Sequence, residues 1–415
     1  MLKNNPILVV LRLPDFAKIW ASQILSQVTI NLINFVIVIR IFENTHSTLA
    51  VSLVWIFYAI PALFLGPFSG TIVDLTEKRK ILVLTTLVEA FVVLMYLLTT
   101  SNIWPIYGII FLYSLVNQLY IPAEASTLTG VVPRALLPAA NTLFMLTIYG
   151  SFILGFGGAG LVVRALGAKM PFLLASFFLL AASFSVYLLP KNLIAKREKI
   201  NGLSEFWTRV LDGYQFIRER TEILYPLALL VAANAIISVL AVIAPLFATE
   251  IININLLDVG LAIVFPIGLG ALFGSLLVVQ ALKYLRKKWV ITFGLSDLAC
   301  GLLFFSLVLP NMHLSQFRFI LALFVMFIMG IGLVSLFIPA QTLLQEKTPE
   351  EFRGRVFGLL GFLFTLVSLL PIIFTAAIAD IIGAAWVLFV LGALLVASAI
   401  YSLREPYLKK EVYAA

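Results

Sequence analysis

Cysteine is almost absent: Cys300 stands alone in 415 residues. A single thiol excludes a disulfide framework and any cysteine-based metal site. Histidine is nearly as scarce. His46 and His313 lie far apart, so neither an HExxH metalloprotease motif nor a serine–histidine pair at sensible positions can be drawn. No GxxxxGK[ST] phosphate loop occurs, which removes an ATP-driven pump. Charge is sparse too. Asp, Glu, Lys and Arg make up 12% of the chain, against roughly 25% in a soluble domain. The connections are short, which leaves little room for the extramembrane domain of a receptor. The start, MLKNNPILVVLRLPDFAK, has no short apolar region closed by a small-residue cleavage site, so the first apolar segment is expected to be retained. No enzyme chemistry and no cofactor or metal site is expected.

What the chain has instead is hydrophobic length. Hydrophobic residues make up 62% of it, in segments long enough to cross a hydrocarbon core of about 30 Å. Twelve spans can be drawn, near residues 16–41, 49–74, 81–100, 104–130, 138–163, 170–190, 224–249, 256–281, 289–309, 317–345, 355–380 and 384–403. Backbone groups in lipid must be satisfied within the segment, so an all-α membrane protein of twelve transmembrane helices is expected. Of the 28 Lys and Arg, all but Arg40, Arg164, Lys169 and Arg318 fall on one side of this arrangement. The positive-inside rule makes that side, with both termini, cytoplasmic. The net charge of +8 is therefore a topology signal and gives no reason to expect nucleic acid.

The longest polar connection falls at the midpoint. Within it Leu203, Phe206, Val210, Tyr214 and Ile217 recur at helical spacing beside Arg209, Arg218 and Arg220, as in a helix lying on a membrane surface. The expected organisation is a six-helix bundle over 1–190, a linker with an amphipathic helix over 191–223, and a second bundle over 224–415. The two halves echo each other. IPAEASTLTGVVP (Ile121–Pro133) matches IPAQTLLQEKTP (Ile338–Pro349), and KRKI (Lys78–Ile81) matches RKKW (Arg286–Trp289). At the offset of the second pair, Glu89 falls on Asp297. Two parallel six-span repeats imply a transporter with its substrate site between them near the midplane.

The stretch GTIVDLTEKRK (Gly70–Lys80) carries a family resemblance. Gly70-x-x-x-Asp74 followed by Lys78-Arg79 resembles the loop signature between spans two and three of the major facilitator superfamily. The resemblance extends along the chain. QEKTPEEFRGRVFGL (Gln345–Leu359), VPRALLPAANTL (Val132–Leu143) and LDGYQFIR (Leu211–Arg218) look like the branch holding macrolide, multidrug and siderophore exporters. It implies two pseudo-symmetric six-helix bundles, alternating access, and a latch role for Asp74 in the outward-facing state. Gly66 and Gly70, four apart, suit close approach to a neighbouring helix. The sequence also departs from the pattern. Glu77 stands at the usual glycine, Leu282 replaces the aspartate in the second half, and Tyr113 stands near a span-four arginine common in proton-coupled relatives. Gly155-Phe156-Gly157-Gly158-Ala159-Gly160 has phenylalanine where span five of antiporters carries proline.

Polar residues inside spans face a bundle interior or a water-filled cavity. Gln23, Gln27, Asn31 and Asn34 form one stripe on span one, and Tyr113, Asn117, Tyr120 and Glu124 form another on span four. Asn234 and Ser238 in span seven and Gln341 and Gln345 in span ten are shorter versions. In the resembled fold these four spans line the central cavity; the same amides could instead bond helix to helix. Glu89, Asp297 and Glu124 are the acids nearest the hydrocarbon and the candidates for proton coupling, with an inter-helix hydrogen bond as the other role. The expectation is a secondary exporter of an amphipathic, drug-like or siderophore-like molecule by proton antiport, monomeric, in a bacterial inner membrane. Uptake, uniport and lipid movement on the same fold remain alternatives.

Overall fold

A computed structural model describes residues 6–74, 76–99, 102–190, 220–312 and 315–404. Among these residues every regular element is helical. A short helix, Pro6–Leu11, precedes twelve long ones. These are α1 Pro14–Thr45, α2 Thr48–Asp74, α3 Lys78–Met95, α4 Trp104–Val131, α5 Leu137–Leu166 and α6 Met170–Tyr187. Then follow α7 Thr221–Phe247, α8 Phe265–Tyr284, α9 Lys287–Leu303, α10 Ser315–Lys347, α11 Glu350–Ile382 and α12 Ala384–Arg404. With their adjoining turns, all twelve are long and apolar enough to cross a membrane, one for each expected span. The amphipathic helix expected between Lys191 and Ile223 lies, over residues 191–219, outside the described residues.

Sequence chemistry explains the helix ends. Proline enters the first turn of α4, α5 and α6, where its missing N–H has no intrahelical partner to lose. α5 and α11 stop at Gly167 and Gly383, with φ of +90° and +82°, a region open to glycine. These two stops occupy equivalent places in the two halves. α8 starts later than its expected residue 256. A 3-10 turn at Leu256–Asp258, capped by the Asn255 side chain, and a π turn at Gly260–Val264 come first. The reason is Pro266: its ring would clash with the carbonyl four residues back in a regular helix, and the wider turn relieves this.

The chain forms two compact units, Met1–Thr45 with Leu53–Phe206, and His46–Ser52 with Trp207–Ala415. In the first, α1 packs on α5 and α6, and α3 on α4 and α6. In the second, α7 packs on α11, and α9 on α10 and α12, repeating the first unit's pairs six helices later. One end of the first unit is closed by an apolar cluster built on Phe16, Leu82, Tyr120 and Val186. Its counterpart around Leu227, Leu230, Leu344 and Val356 serves the second. Outward-facing side chains such as Phe64, Phe91 and Ile381 stay exposed, as lipid-facing residues of a membrane helix would.

Candidate functional site

α4 is the polar hub of the first unit. Tyr113, Asn117, Tyr120 and Glu124 are all buried on it. Asn117 Nδ2 donates to Glu89 Oε1 on α3 at 3.1 Å, and its Oδ1 accepts from the Tyr58 hydroxyl of α2 at 3.3 Å. The Ser114 hydroxyl donates to the Tyr58 carbonyl at 2.5 Å, tying α2 to α4 a second time. Further along, the Tyr120 hydroxyl donates to Glu124 Oε1 at 2.8 Å. It also lies 3.1 Å from Ser26 Oγ and 3.5 Å from Ser22 Oγ, both on α1. Glu89 is 0% exposed, and its Oε2 has no hydrogen-bond partner; the buried Tyr113 hydroxyl has none either. Among the described residues no Lys, Arg or His forms an ion pair with Glu89, Glu124 or Asp297.

The span-one stripe points largely at α5. Asn31 Nδ2 donates to Ser151 Oγ at 3.2 Å and to the Gln27 carbonyl at 2.8 Å, and Gln23 Nε2 reaches the Phe144 carbonyl at 3.5 Å. Gln27 and Asn34 are half-buried. Gly155 of α5 makes the close crossing possible, since a Cβ there would sit 2.5 Å from the Asn31 Cβ. The second unit repeats the device. Asn234 Nδ2 on α7 donates to Ser368 Oγ on α11 at 3.1 Å and to the Phe364 carbonyl at 3.2 Å. Ser238 turns back onto the Asn234 carbonyl at 2.8 Å, while Gln341 and Gln345 on α10 are exposed.

Glu89 and Asp297 each sit between the third and fourth helices of their own unit, and the environments differ. Glu89 meets an amide. The Asp297 carboxylate instead lies against the α10 backbone, where a Cβ on Gly332 would fall 2.1 Å from its Oδ2. That oxygen also lacks a hydrogen-bond partner.

At the loop after α2, Glu77 takes extended backbone geometry (φ −64°, ψ 113°) and pairs with Lys80 at 2.9 Å. The turn therefore closes without the glycine that usually stands there. Arg79 stacks over the Tyr187 ring at 4.7 Å, and the equivalent loop of the second unit sends Lys288 to the Leu403 carbonyl. Each basic loop is thus anchored on the last helix of its own unit. Lys78 is buried. Among the described residues a Cβ at Gly70 would meet nothing within 4 Å, and one at Gly66 only Gln118 Oε1 at 3.9 Å, so close packing does not demand either glycine here. The Asp74 side chain lies outside the described residues.

Several polar partners escaped the stripes. Ser22 and Ser26, four apart on α1, carry a readable helical spacing; Tyr58 carries none, because its partner is on another helix. Asp380 at the end of α11 likewise belongs to no stripe. Among the described residues no group of three or more His, Cys, Asp or Glu could hold a metal ion.

Residues 19–371 match the family model described as Major Facilitator Superfamily. The chain belongs to this superfamily. Among curated members, it is 26% identical to the uncharacterized MFS-type transporter YfiS of Bacillus subtilis, over 87% of this chain and 85% of that one. It is 23% identical to macrolide efflux protein A of Streptococcus pyogenes, over 93% of this chain and 94% of that one. Among solved structures, the nucleoside transporter NupG superposes with a TM-score of 0.73 at 11% identity, covering 96% of this chain and all of NupG (100%). The POT family transporter PepTSo gives 0.70 at 12% identity, covering 96% and 99%. At such identities the two structures establish the shared fold alone. This major facilitator is a multi-pass membrane transporter and not an enzyme.

Proposed function

We propose that this facilitator is a secondary carrier of an amphipathic or moderately polar small molecule, coupled to protons through its first unit. The observation that carries the reading is Glu89: fully buried, held by Asn117 through one oxygen, and, among the described residues, in no ion pair with a cation. An unpaired carboxylate anion is costly to bury, so a proton is its natural companion. Glu124, bonded to Tyr120, stands as the second proton carrier, and Asp297 as the second unit's equivalent. Amides and phenols dominate the polar faces of α1 and α4. Paired arginines suited to a phosphate or sugar acid are missing from them. The faces of Gln23, Gln27, Asn31 and Asn34, of Tyr113, Asn117 and Tyr120, and of Asn234, Ser238, Gln341 and Gln345 supply the substrate contacts. Asp74 and Lys78 act at the conformational latch.

The family supports a carrier without fixing its direction, and uptake or uniport fits the same residues. Export is favoured by one finding, the match to macrolide efflux protein A over nearly the whole of both chains. The site of action on this reading is a bacterial cytoplasmic membrane, with both termini inside and the monomer as the working unit. Reconstitution with substrate on one side and a pH gradient of either sign separates the cases. Antiport export requires accumulation against an opposed proton flow. Uptake by symport reverses the sign, and uniport ignores the gradient.

A further inference from the structure

Asn117 is one amide held between two partners, and all three residues lie within the first unit. Its Nδ2 donates to Glu89 Oε1 at 3.1 Å, and its Oδ1 accepts from the Tyr58 hydroxyl at 3.3 Å. An ionised carboxylate only accepts, so beside the Glu89 anion the amide must present its NH2 group. Beside the neutral acid either face would serve. Turned over, the amide oxygen would accept from an O–H on Oε1, and the NH2 group would donate to the Tyr58 oxygen. That second arrangement strands the Tyr58 hydroxyl hydrogen, whose acceptor among the described residues is Asn117. A donor left unpaired in a helix contact is costly, so Tyr58 holds the amide as it stands. Oε1 then meets a donor in both protonation states, and the proton falls to Oε2. That oxygen is buried and has no hydrogen-bond partner among the described residues.

We propose that Tyr58 is the positioning residue for the proton on Glu89: its hydroxyl fixes the Asn117 amide, so that Oε2 alone takes up and releases the proton. The inference rests on the proton-carrying role proposed for Glu89 and deepens it by naming the oxygen and the side chain that selects it. Tyr58 acts through Asn117 and does not touch the proton. The titratable groups in electrostatic reach of Glu89 are Tyr58 on α2 and Tyr113 and Glu124 on α4. α6, the other helix packed on α3, carries no charged residue. The Ser114 hydroxyl donates to the Tyr58 backbone carbonyl, so α2 stays tied to α4 when the ring loses only its hydroxyl. Tyr58→Phe therefore changes hydrogen bonding and spares the packing.

The test is infrared difference spectroscopy of the full chain in proteoliposomes, between high and low pH and without substrate. The C=O band of protonated Glu89 is assigned by its loss in Glu89→Gln. In the wild type that carbonyl is Oε1, lowered in frequency by the Asn117 donor. Tyr58→Phe frees the amide to turn its oxygen to the acid O–H, and the band is expected to move to higher wavenumber. Asn117→Leu, which removes the donor, is expected to move it in the same direction. Tyr58→Phe added to Asn117→Leu is expected to shift it no further, since Tyr58 acts only through the amide. An unmoved band in Tyr58→Phe, or an equal further shift on the Asn117→Leu background, would overturn the proposal. If Tyr58→Phe fails to elute as a folded species, Asn117→Leu decides alone, and an unmoved band there overturns the proposal. The two readings fail differently. A band that is present but unmoved rejects the role of Tyr58 and leaves Glu89 a proton carrier, whereas no band lost in Glu89→Gln at any pH overturns both.

Discussion

Glu89 and Asp297 share a place in the repeat and differ in what touches them. Glu89 has an amide donor on one oxygen and nothing on the other; Asp297 is pressed against a glycine backbone. Glu89→Gln keeps the size and the Asn117 contact but cannot release a proton. It is expected to leave the folded protein intact and to flatten the pH profile of transport; an unchanged profile would make Glu89 a structural residue. Gly332→Ala is expected to cost about 1–3 kcal/mol by overpacking against Asp297, seen as a lower melting temperature in detergent. Adding Asp297→Ser should recover part of that loss. The sequence offset alone paired these two acids, because a parallel repeat preserves position. It could not reveal Tyr58, whose only signal is a bond to another helix.

The helices show the same division. All twelve spans were readable from apolar length, and proline and glycine placed many of their ends. The polar stripes were readable as stripes, but their partners were not, since helical spacing says which residues share a face and not what that face meets. Asn31 and Asn234 illustrate this. Each reaches a serine on the fifth helix of its own unit, Ser151 or Ser368, so the first-to-fifth contact is clasped alike in both halves. Asn31→Leu and Asn234→Leu are therefore expected to lower stability by about 1 kcal/mol each, through the lost inter-helix hydrogen bond, while each serine keeps its bond to a carbonyl of its own helix. Thermal denaturation checks this. An unchanged melting temperature would contradict the clasp, and a change in apparent substrate affinity reports the substrate contact proposed for the same faces. The π turn ahead of Pro266 was not legible, because proline announces a break without specifying its form.

At the scale of the molecule, twelve spans, two repeated units and a basic bias to one side all follow from a chain with little charge and much hydrophobic length. The repeat carries chemistry unevenly. Among the described residues, Glu89 and Glu124 of the first unit meet amide, phenol and hydroxyl groups, which is why coupling is assigned chiefly there. The latch residues are a property of the whole cycle, and Asp74→Asn is expected to insert normally yet turn over several-fold more slowly. The most direct measurement is dye transport in proteoliposomes under an imposed pH gradient, with wild type and Glu89→Gln in parallel. The account predicts gradient-driven movement in the wild type that loses its dependence on the gradient in Glu89→Gln. Movement indifferent to the gradient in the wild type, or equally driven in both, would contradict it.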